Sequence, residues 1–290
     1  MASIGDVAKL AGVSRSTVSL VCNNKGYVSD ETRKKIEKAM KELNYIPSEL
    51  GRNLKMQKSG IVGIIVPDIA HPFFSTFIKY AEKELYSRGY KALVCGTAGR
   101  EDVEEAYLQM LDRRTMDGVI MGAHSLKKER YLKIDRPIVT IDCYLADYIP
   151  TVHVDKRQVA EKAASLFLEK NRKKVVQLVS SHTIKNYENE TEKLFHELLE
   201  KQGCEVVDIS IGYNTFTAEG YKDAAERIFE ECSDMDGIFG VDMAAIACLR
   251  EAKLRKLKVP EELSIVSIDG TYITKLGPEI LTSIVQPIEK

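Results

Sequence analysis

No apolar run in this 290-residue chain approaches the length of a membrane-spanning helix, and the N-terminus has none of the make-up of a secretory leader. A cytoplasmic protein is the expectation. The six cysteines (Cys22, Cys95, Cys143, Cys204, Cys232, Cys248) form no C-x-x-C pair, which argues against a zinc site and against a disulfide framework. They are expected to be buried and reduced. The five histidines (His71, His124, His153, His182, His196) sit in separate segments without metal-ligand spacing, and no G-x-S-x-G, H-E-x-x-H or P-loop pattern occurs. These absences speak against an enzyme and call for no cofactor or metal.

What is present suits two or three globular domains: 44% hydrophobic and 29% charged residues. The net charge of −1 hides an asymmetry. Residues 1–60 carry 11 Lys and Arg against 6 Asp and Glu, whereas the remaining 230 carry 31 against 37. A small basic domain on a larger acidic one fits a nucleic-acid module joined to something that does not touch nucleic acid. Basic helix faces are also ordinary solvated surface, so charge supports this reading without deciding it.

The segment Ser3–Asn23 organises the rest. Ile4, Val7, Ala8, Val18 and Val21 recur at helical spacing. Ser3 with Asp6 three residues on predicts a capping box, Gly12 a turn that needs positive φ, and Ser14 the cap of a second short helix. Two short helices around a glycine turn make a helix-turn-helix unit. On the second helix Arg15, Ser16, Ser19 and Leu20 share one arc and Val18 and Val21 the other, so one face packs while the other is free to enter a major groove. The plainer alternative is a helical hairpin inside a larger domain. A third helix is predicted over 29–43, with Asp30 and Glu31 at its start and Ile36, Ala39, Met40 and Leu43 as its apolar stripe. Three helices in so few residues make a marginal core, and this headpiece is expected to be the least stable unit.

From Ile61 the pattern changes to alternating strands and helices. The strands are 61–66, 91–96, 117–121, 137–142, 174–179, 205–210, 236–241 and 263–269, with a second round beginning after VHVD (152–155). Helices are predicted over 73–88, 100–114, 156–170, 187–202, 217–231 and 242–256. Such alternation implies parallel sheets with right-handed crossovers, arranged as two similar doubly wound halves with a cleft at the carboxyl ends of the strands. Asp117-Gly118 and Asp236-Gly237 open corresponding strands and are read as turns. The fold class is thus α/β: a small all-α helix-turn-helix headpiece (1–46), a hinge and linker (47–59), and a two-subdomain, doubly wound parallel-sheet sensor domain (60–290).

The run IGDVAKLAGVSRSTVSLVCN followed by ETRKKIEKAMKELNYIPSELGRNLK resembles the N-terminus of the LacI/GalR repressors, through D-V-A-x-x-A-G-V-S, T-V-S, E-T-R, L-x-Y-x-P and R-x-L-K in family order. The resemblance runs more loosely to the end of the chain and implies a sensor domain shaped like a periplasmic binding protein. It further implies a cytoplasmic homodimeric repressor that binds a palindromic operator in double-stranded DNA and answers to a small-molecule effector, a sugar or sugar phosphate. Arg15, Ser16 and Leu20 fall on the base-reading positions. Ser3, Ser14, Thr17, Ser19, Asn23 and Lys25 fall where phosphates are held, Leu54 on the hinge leucine that wedges the minor groove, and Lys55 beside it. The hinge Ser48–Lys55, weakened by Gly51, is expected to become helical only on DNA.

For the effector, Phe73 and Phe74 match aromatic positions at the cleft mouth. Asp155 and Asp269 match strand-end carboxylates, for which helix capping or a hydrogen-bonded strand end is the competing role. Lys185 and Tyr187 fall in the facing loop. Three positions depart from the family: Thr191 stands for an arginine, Val241 for an asparagine, and Thr215, with Phe216 next to it, for an aromatic platform. The family also continues past Gln286-Pro287-Ile288 with a helix and strand that return to the first subdomain, so the C-terminal end here reads as short. Two rivals are weighed. One is a solute-binding component sharing only the sensor fold, against which the headpiece and the lack of a leader argue strongly. The other is a DNA-binding regulator that takes a protein co-repressor or no small ligand, which the altered Thr191 and Val241 keep open.

Overall fold

The structure is a computed structural model and describes residues 2–47, 53, 58–179, 190–211, 217–277 and 280–290. The chain forms two compact units, residues 1–59 and 60–290.

The first unit holds α1 (Ile4–Ala11), α2 (Arg15–Cys22) and α3 (Asp30–Glu42). Each begins on a serine whose hydroxyl satisfies an otherwise orphaned amide. Ser3 forms a reciprocal box with Asp6: the Ser3 amide donates to Asp6 Oδ2 at 2.8 Å and the Asp6 amide to Ser3 Oγ at 3.3 Å. Ser14 Oγ accepts from the Thr17 amide at 3.1 Å, and Ser29 Oγ from the Thr32 amide at 3.3 Å. Gly12 closes α1 at φ +67°, a left-handed conformation that removes the Cβ penalty only for glycine. Six side chains are buried between the helices: Val7, Ala8, Val18, Val21, Ile36 and Ala39. The hinge helix expected over Ser48–Lys55 lies outside the described residues except for Asn53.

The second unit is two doubly wound halves. The first contains β1 (Ile61–Val66), α4 (Pro72–Ser87), β2 (Lys91–Gly96), α5 (Glu101–Asp112), β3 (Gly118–Met121), α6 (Lys128–Leu132), β4 (Ile138–Ile141) and β5 (Thr151–Val152). The second contains α7 (Lys156–Glu169), β6 (Lys174–Val179), α8 (Glu190–Glu200), β7 (Glu205–Ser210), α9 (Ala218–Glu231), β8 (Gly237–Val241), α10 (Asp242–Leu254), β9 (Ser264–Asp269), a 3₁₀ turn at Tyr272–Lys275, and β10 (Thr282–Val285). The sheets run β2-β1-β3-β4-β5 and β10-β9-β8-β6-β7, every pair parallel. Counted within each half, the two orders are the same. Strand order reverses at β1/β3 and at β6/β8, and the carboxyl ends of those strands define the crevice where such sheets take ligands.

Helix α6 and strands β5 and β10 are additions to the elements read from the sequence. β5 is two residues long, α6 five, and β10 (TSIV) is half polar, so none carries a periodic signal. The two Asp-Gly pairs do more than turn the chain. Asp117 Oδ2 accepts from the Gly60 amide at 2.9 Å, and Asp236 Oδ1 from the Lys173 and Lys174 amides, both at 2.9 Å. Each carboxylate therefore holds the start of the first strand of its own half, where a parallel ladder leaves amides without a partner.

Candidate nucleic-acid interface and effector cleft

In the first unit, packing and exposure divide α2 as its sequence does. Val18 and Val21 are buried, whereas Arg15 and Ser16 are exposed and Leu20 is 39% exposed. The hydroxyls of the second helix are linked to one another: Ser14 Oγ lies 2.6 Å from Ser16 Oγ and 2.8 Å from Thr17 Oγ1. Asn23 Nδ2 reaches back to the Ser19 carbonyl at 2.7 Å and to Ser19 Oγ at 3.3 Å. Lys25 is exposed in the loop that follows, with its amide on the Leu20 carbonyl at 3.0 Å. The Asp6 carboxyl is held below the usual carboxylate range by the Ser3 backbone and side-chain hydrogen bonds, so a single negative charge stays at the start of α1.

Both base-facing candidates rest on glycine. The Leu20 side chain lies over Gly26, where an added Cβ would come 3.3 Å from Leu20 Cδ2. Arg15 lies over Gly5, where a Cβ would come 2.9 Å from Nη2 and 3.1 Å from Nε. Tyr27, next to Gly26, is 92% exposed, the largest such apolar exposure in the headpiece. Sequence reading missed Gly5 and Tyr27, since neither disturbs the helical pattern. Leu54 and Lys55 lie outside the described residues.

In the second unit the strand ends bring together polar groups from both halves. Asp269 ends β9 and Asp142 follows β4, the corresponding strand of the first half, and both have positive φ (+112° and +54°). The sequence repeats there, IVTID at 138–142 and IVSID at 265–269, so Asp142 was legible by internal comparison but was not singled out. Asp269 is buried and accepts from Gln286 Nε2 at 2.8 Å. Its carboxyl is pushed well above the ordinary range by burial, then by the Asp242 charge, with Asp142 adding to the effect. Burial likewise raises Asp142, opposed by Lys156 and His153.

Asp242 opens α10 beside the second switch point and is 1% exposed. Its two oxygens accept from Ser267 Oγ (2.7 Å), the Thr271 amide and hydroxyl (2.7 Å each), Ser283 Oγ (3.1 Å) and the Gly270 amide (3.3 Å). Such saturation is what a buried carboxylate requires. It ties α10 to β9, β10 and the turn after β9.

On the opposing side, His71 precedes α4 and is buried. Its Nε2 lies 3.3 Å from the hydroxyl of Tyr221 on α9, so the pair joins the two halves. Burial lowers the His71 pKa, which favours the neutral ring able to accept that hydroxyl proton. The Phe74 ring packs against Gly122 just past β3 and meets Phe73 edge-on at 5.3 Å. Both rings are half-buried. Asp155 is exposed and caps α7, accepting from the Gln158 amide at 2.9 Å, so its carboxylate has the competing structural role. Thr191 sits half-buried in the first turn of α8. Lys185, Tyr187, Thr215 and Phe216 lie outside the described residues. No group of three or more metal-ligating side chains occurs among the described residues.

A capped helix pair with one polar face free, joined to a two-lobed α/β unit with carboxyls gathered at its strand ends, defines a ligand-responsive DNA-binding regulator. Residues 3–48 match the family profile described as bacterial regulatory proteins, lacI family. Residues 59–284 match that of periplasmic binding proteins and sugar binding domain of LacI family. The chain belongs to the LacI family of transcriptional regulators, which are not enzymes. It is 35% identical to a sucrose operon repressor of Streptococcus mutans, over all of this chain and 89% of the relative. It is 33% identical to a ribose operon repressor of Halalkalibacterium halodurans, over 99% and 86%. A crystal structure of the Lac repressor dimer bound to operator and the anti-inducer ONPF superposes with a TM-score of 0.83 at 21% identity, covering 99% of this chain and 88% of that one, and attests the fold.

Proposed function

We propose that this protein represses a carbohydrate-use operon as a homodimer in the cytoplasm, releasing or tightening its hold on a palindromic operator when an uncharged sugar enters the cleft. The observation that carries the reading is the division of α2: a buried valine pair under an exposed Arg15–Ser16–Leu20 face, behind a serine cap. Arg15 would read a guanine edge through a bidentate contact and Leu20 a thymine methyl, while Ser3, Ser14, Thr17, Ser19, Asn23 and Lys25 hold phosphates. Leu54 and Lys55 would act at the hinge.

The effector would lie between Phe73 and Phe74 on one side and Asp142 and Asp269 on the other. Burial raises the pKa values of Asp142 and Asp269, and neighbouring carboxyls raise that of Asp269 further, so the site is a poor place for another negative charge. Carboxyls exchange hydrogen bonds readily with hydroxyl groups, and together these favour a free sugar over a sugar phosphate. The names of the sucrose and ribose operon repressors support a carbohydrate. Dimerisation would use the surface around an apolar pocket of about 330 Å³ between α10 and the 3₁₀ turn. Ile246, Leu249, Leu254 and Leu281 line it, and Leu276 and Ile280 stand nearby, 74% and 78% exposed.

A second reading, a protein co-repressor in place of a sugar, is favoured by Val241 at the asparagine position and by the engagement of Asp155 in capping α7.

Two variants test the proposal. Arg15→Ala should weaken the operator complex by about 1–3 kcal/mol and relax preference at one base pair per half-site. Asp269→Asn should abolish the response to the effector while leaving basal operator affinity near wild type. A thermal-shift panel of sucrose, fructose, ribose and their phosphates identifies the ligand. Binding only of phosphorylated sugars would refute the free-sugar assignment, and no shift with any member would favour the co-repressor.

A further inference from the structure

Gly5 is the second residue of α1, and nothing in its own backbone asks for glycine. Gly12 and Gly26 have positive φ (+67° and +72°), whereas Gly5 has no such conformation. Glycine in a helix weakens it relative to alanine through backbone entropy. The three heavy atoms nearest to the place where its Cβ would stand all belong to one side chain: Arg15 Nη2 at 2.9 Å, Nε at 3.1 Å and Cζ at 3.3 Å. The Nε–Nη2 edge of the guanidinium of the first residue of α2 thus occupies the space where α1 lacks a side chain. The Asp6 carboxylate, fixed by the Ser3 box, is within electrostatic reach of that guanidinium.

We infer that Gly5 is a specificity-positioning residue: by leaving out a Cβ it seats the Arg15 guanidinium in one orientation, ready for base recognition. The inference rests on the reading of Arg15 as a base-contacting residue. A free arginine loses several rotamers on binding, and a planar fork held against a helix loses fewer. A methyl group at position 5 would meet only the far end of a flexible side chain. The arginine would move and the backbone would not, so the change falls on recognition and not on folding.

The test uses the full-length protein, an operator, and operators substituted one base pair at a time. Gly5→Ala should melt at the wild-type temperature or above. It should lose about fivefold to tenfold of the discrimination at the base pair that Arg15 reads, leaving discrimination elsewhere and the salt dependence unchanged. The Gly5→Ala/Arg15→Ala double variant should discriminate like Arg15→Ala alone, because the glycine acts through the arginine. Full discrimination in Gly5→Ala, a loss that persists undiminished on the Arg15→Ala background, or a lowered melting temperature would each overturn the seat while Arg15 keeps its role. If Arg15→Ala itself discriminates like wild type, the base-contact reading falls and the seat falls with it.

Discussion

The two sheets of the larger unit have one strand order and unequal cover. The second is packed on both faces. Val175, Val206, Phe239 and Val266 meet Phe167, Phe195 and Leu199 of α7 and α8 on one side. Val176, Leu178, Ile238 and Ile265 meet Tyr221, Ile228, Ala245 and Cys248 of α9 and α10 on the other. The first sheet has a comparable cluster on one side, where Ile65, Val119 and Met121 meet Leu108, Leu111 and Tyr131. On the other side α4 buries only Pro72, against five residues in α7. Topology is set by how strands connect, whereas depth of burial depends on the particular helix face laid over them. The half with less buried helix surface is the one where local opening should cost less.

Core truncation sharpens this difference most. Phe167 is fully buried, edge-on to Phe195 at 5.9 Å and seated over Gly237. Phe167→Ala should cost about 3–5 kcal/mol of unfolding free energy. Phe74, half-buried over Gly122 in the first half, should cost about 1–2 kcal/mol when cut to alanine, in proportion to its smaller buried area. Urea midpoints of the two variants check the pair, and equal losses would mean that the unequal cover has no energetic counterpart.

Acidification should separate the halves by sign. His124, just past β3, is half-buried, and the burial of its ring pushes its pKa down from 6.5 to about 4. Below pH 6.5 the unfolded chain takes up a proton that the folded ring refuses, so stability falls as pH drops towards 4. The gap between the two values corresponds to about 3 kcal/mol. Asp269 in the second half behaves oppositely. Its folded pKa is raised, so its contribution is fullest below the ordinary carboxylate value and is lost as pH rises through the folded value. Urea midpoints between pH 7.5 and 4.5 should therefore fall less steeply in His124→Gln than in wild type, and more steeply in Asp269→Asn. Parallel slopes in all three proteins would contradict both assignments.

Much of this was legible in the sequence because it is local. The serine caps, the Gly12 corner, the stripe on α3 and the alternating strands each follow from residues a few positions apart. What was not legible depends on distance along the chain. Asp117 and Asp236 read as turn residues because their amide partners, Gly60 and Lys173, lie about sixty positions earlier. The five donors around Asp242 come from β9, β10 and the turn between them, and no motif announces that convergence. Asp155 shows the reverse case: strand end and helix cap look alike in sequence, and only the Gln158 hydrogen bond marks the cap.

The smallest effect should come from a hydrogen bond that links the halves directly, between His71 and Tyr221. Tyr221 belongs to the well-covered second half and His71 to the loop before α4, the thinly buried helix of the first. With its pKa lowered by burial, the ring is neutral near pH 7 and its Nε2 accepts the tyrosine hydroxyl. Tyr221→Phe removes that donor and keeps the ring that packs in the second core, so global stability should drop by only about 0.5–1.5 kcal/mol. The loss should be local. Amides of residues 67–75 should exchange faster with solvent, because the loop loses a tie to the other half, while those of β6 and β8 keep wild-type protection. Slower effector dissociation would not follow, since the bond helps keep the lobes together. Dissociation should instead quicken as the lobes part more easily. Unchanged exchange at 67–75, or faster exchange spread evenly over both sheets, would show that the bond is incidental to how the two halves are joined.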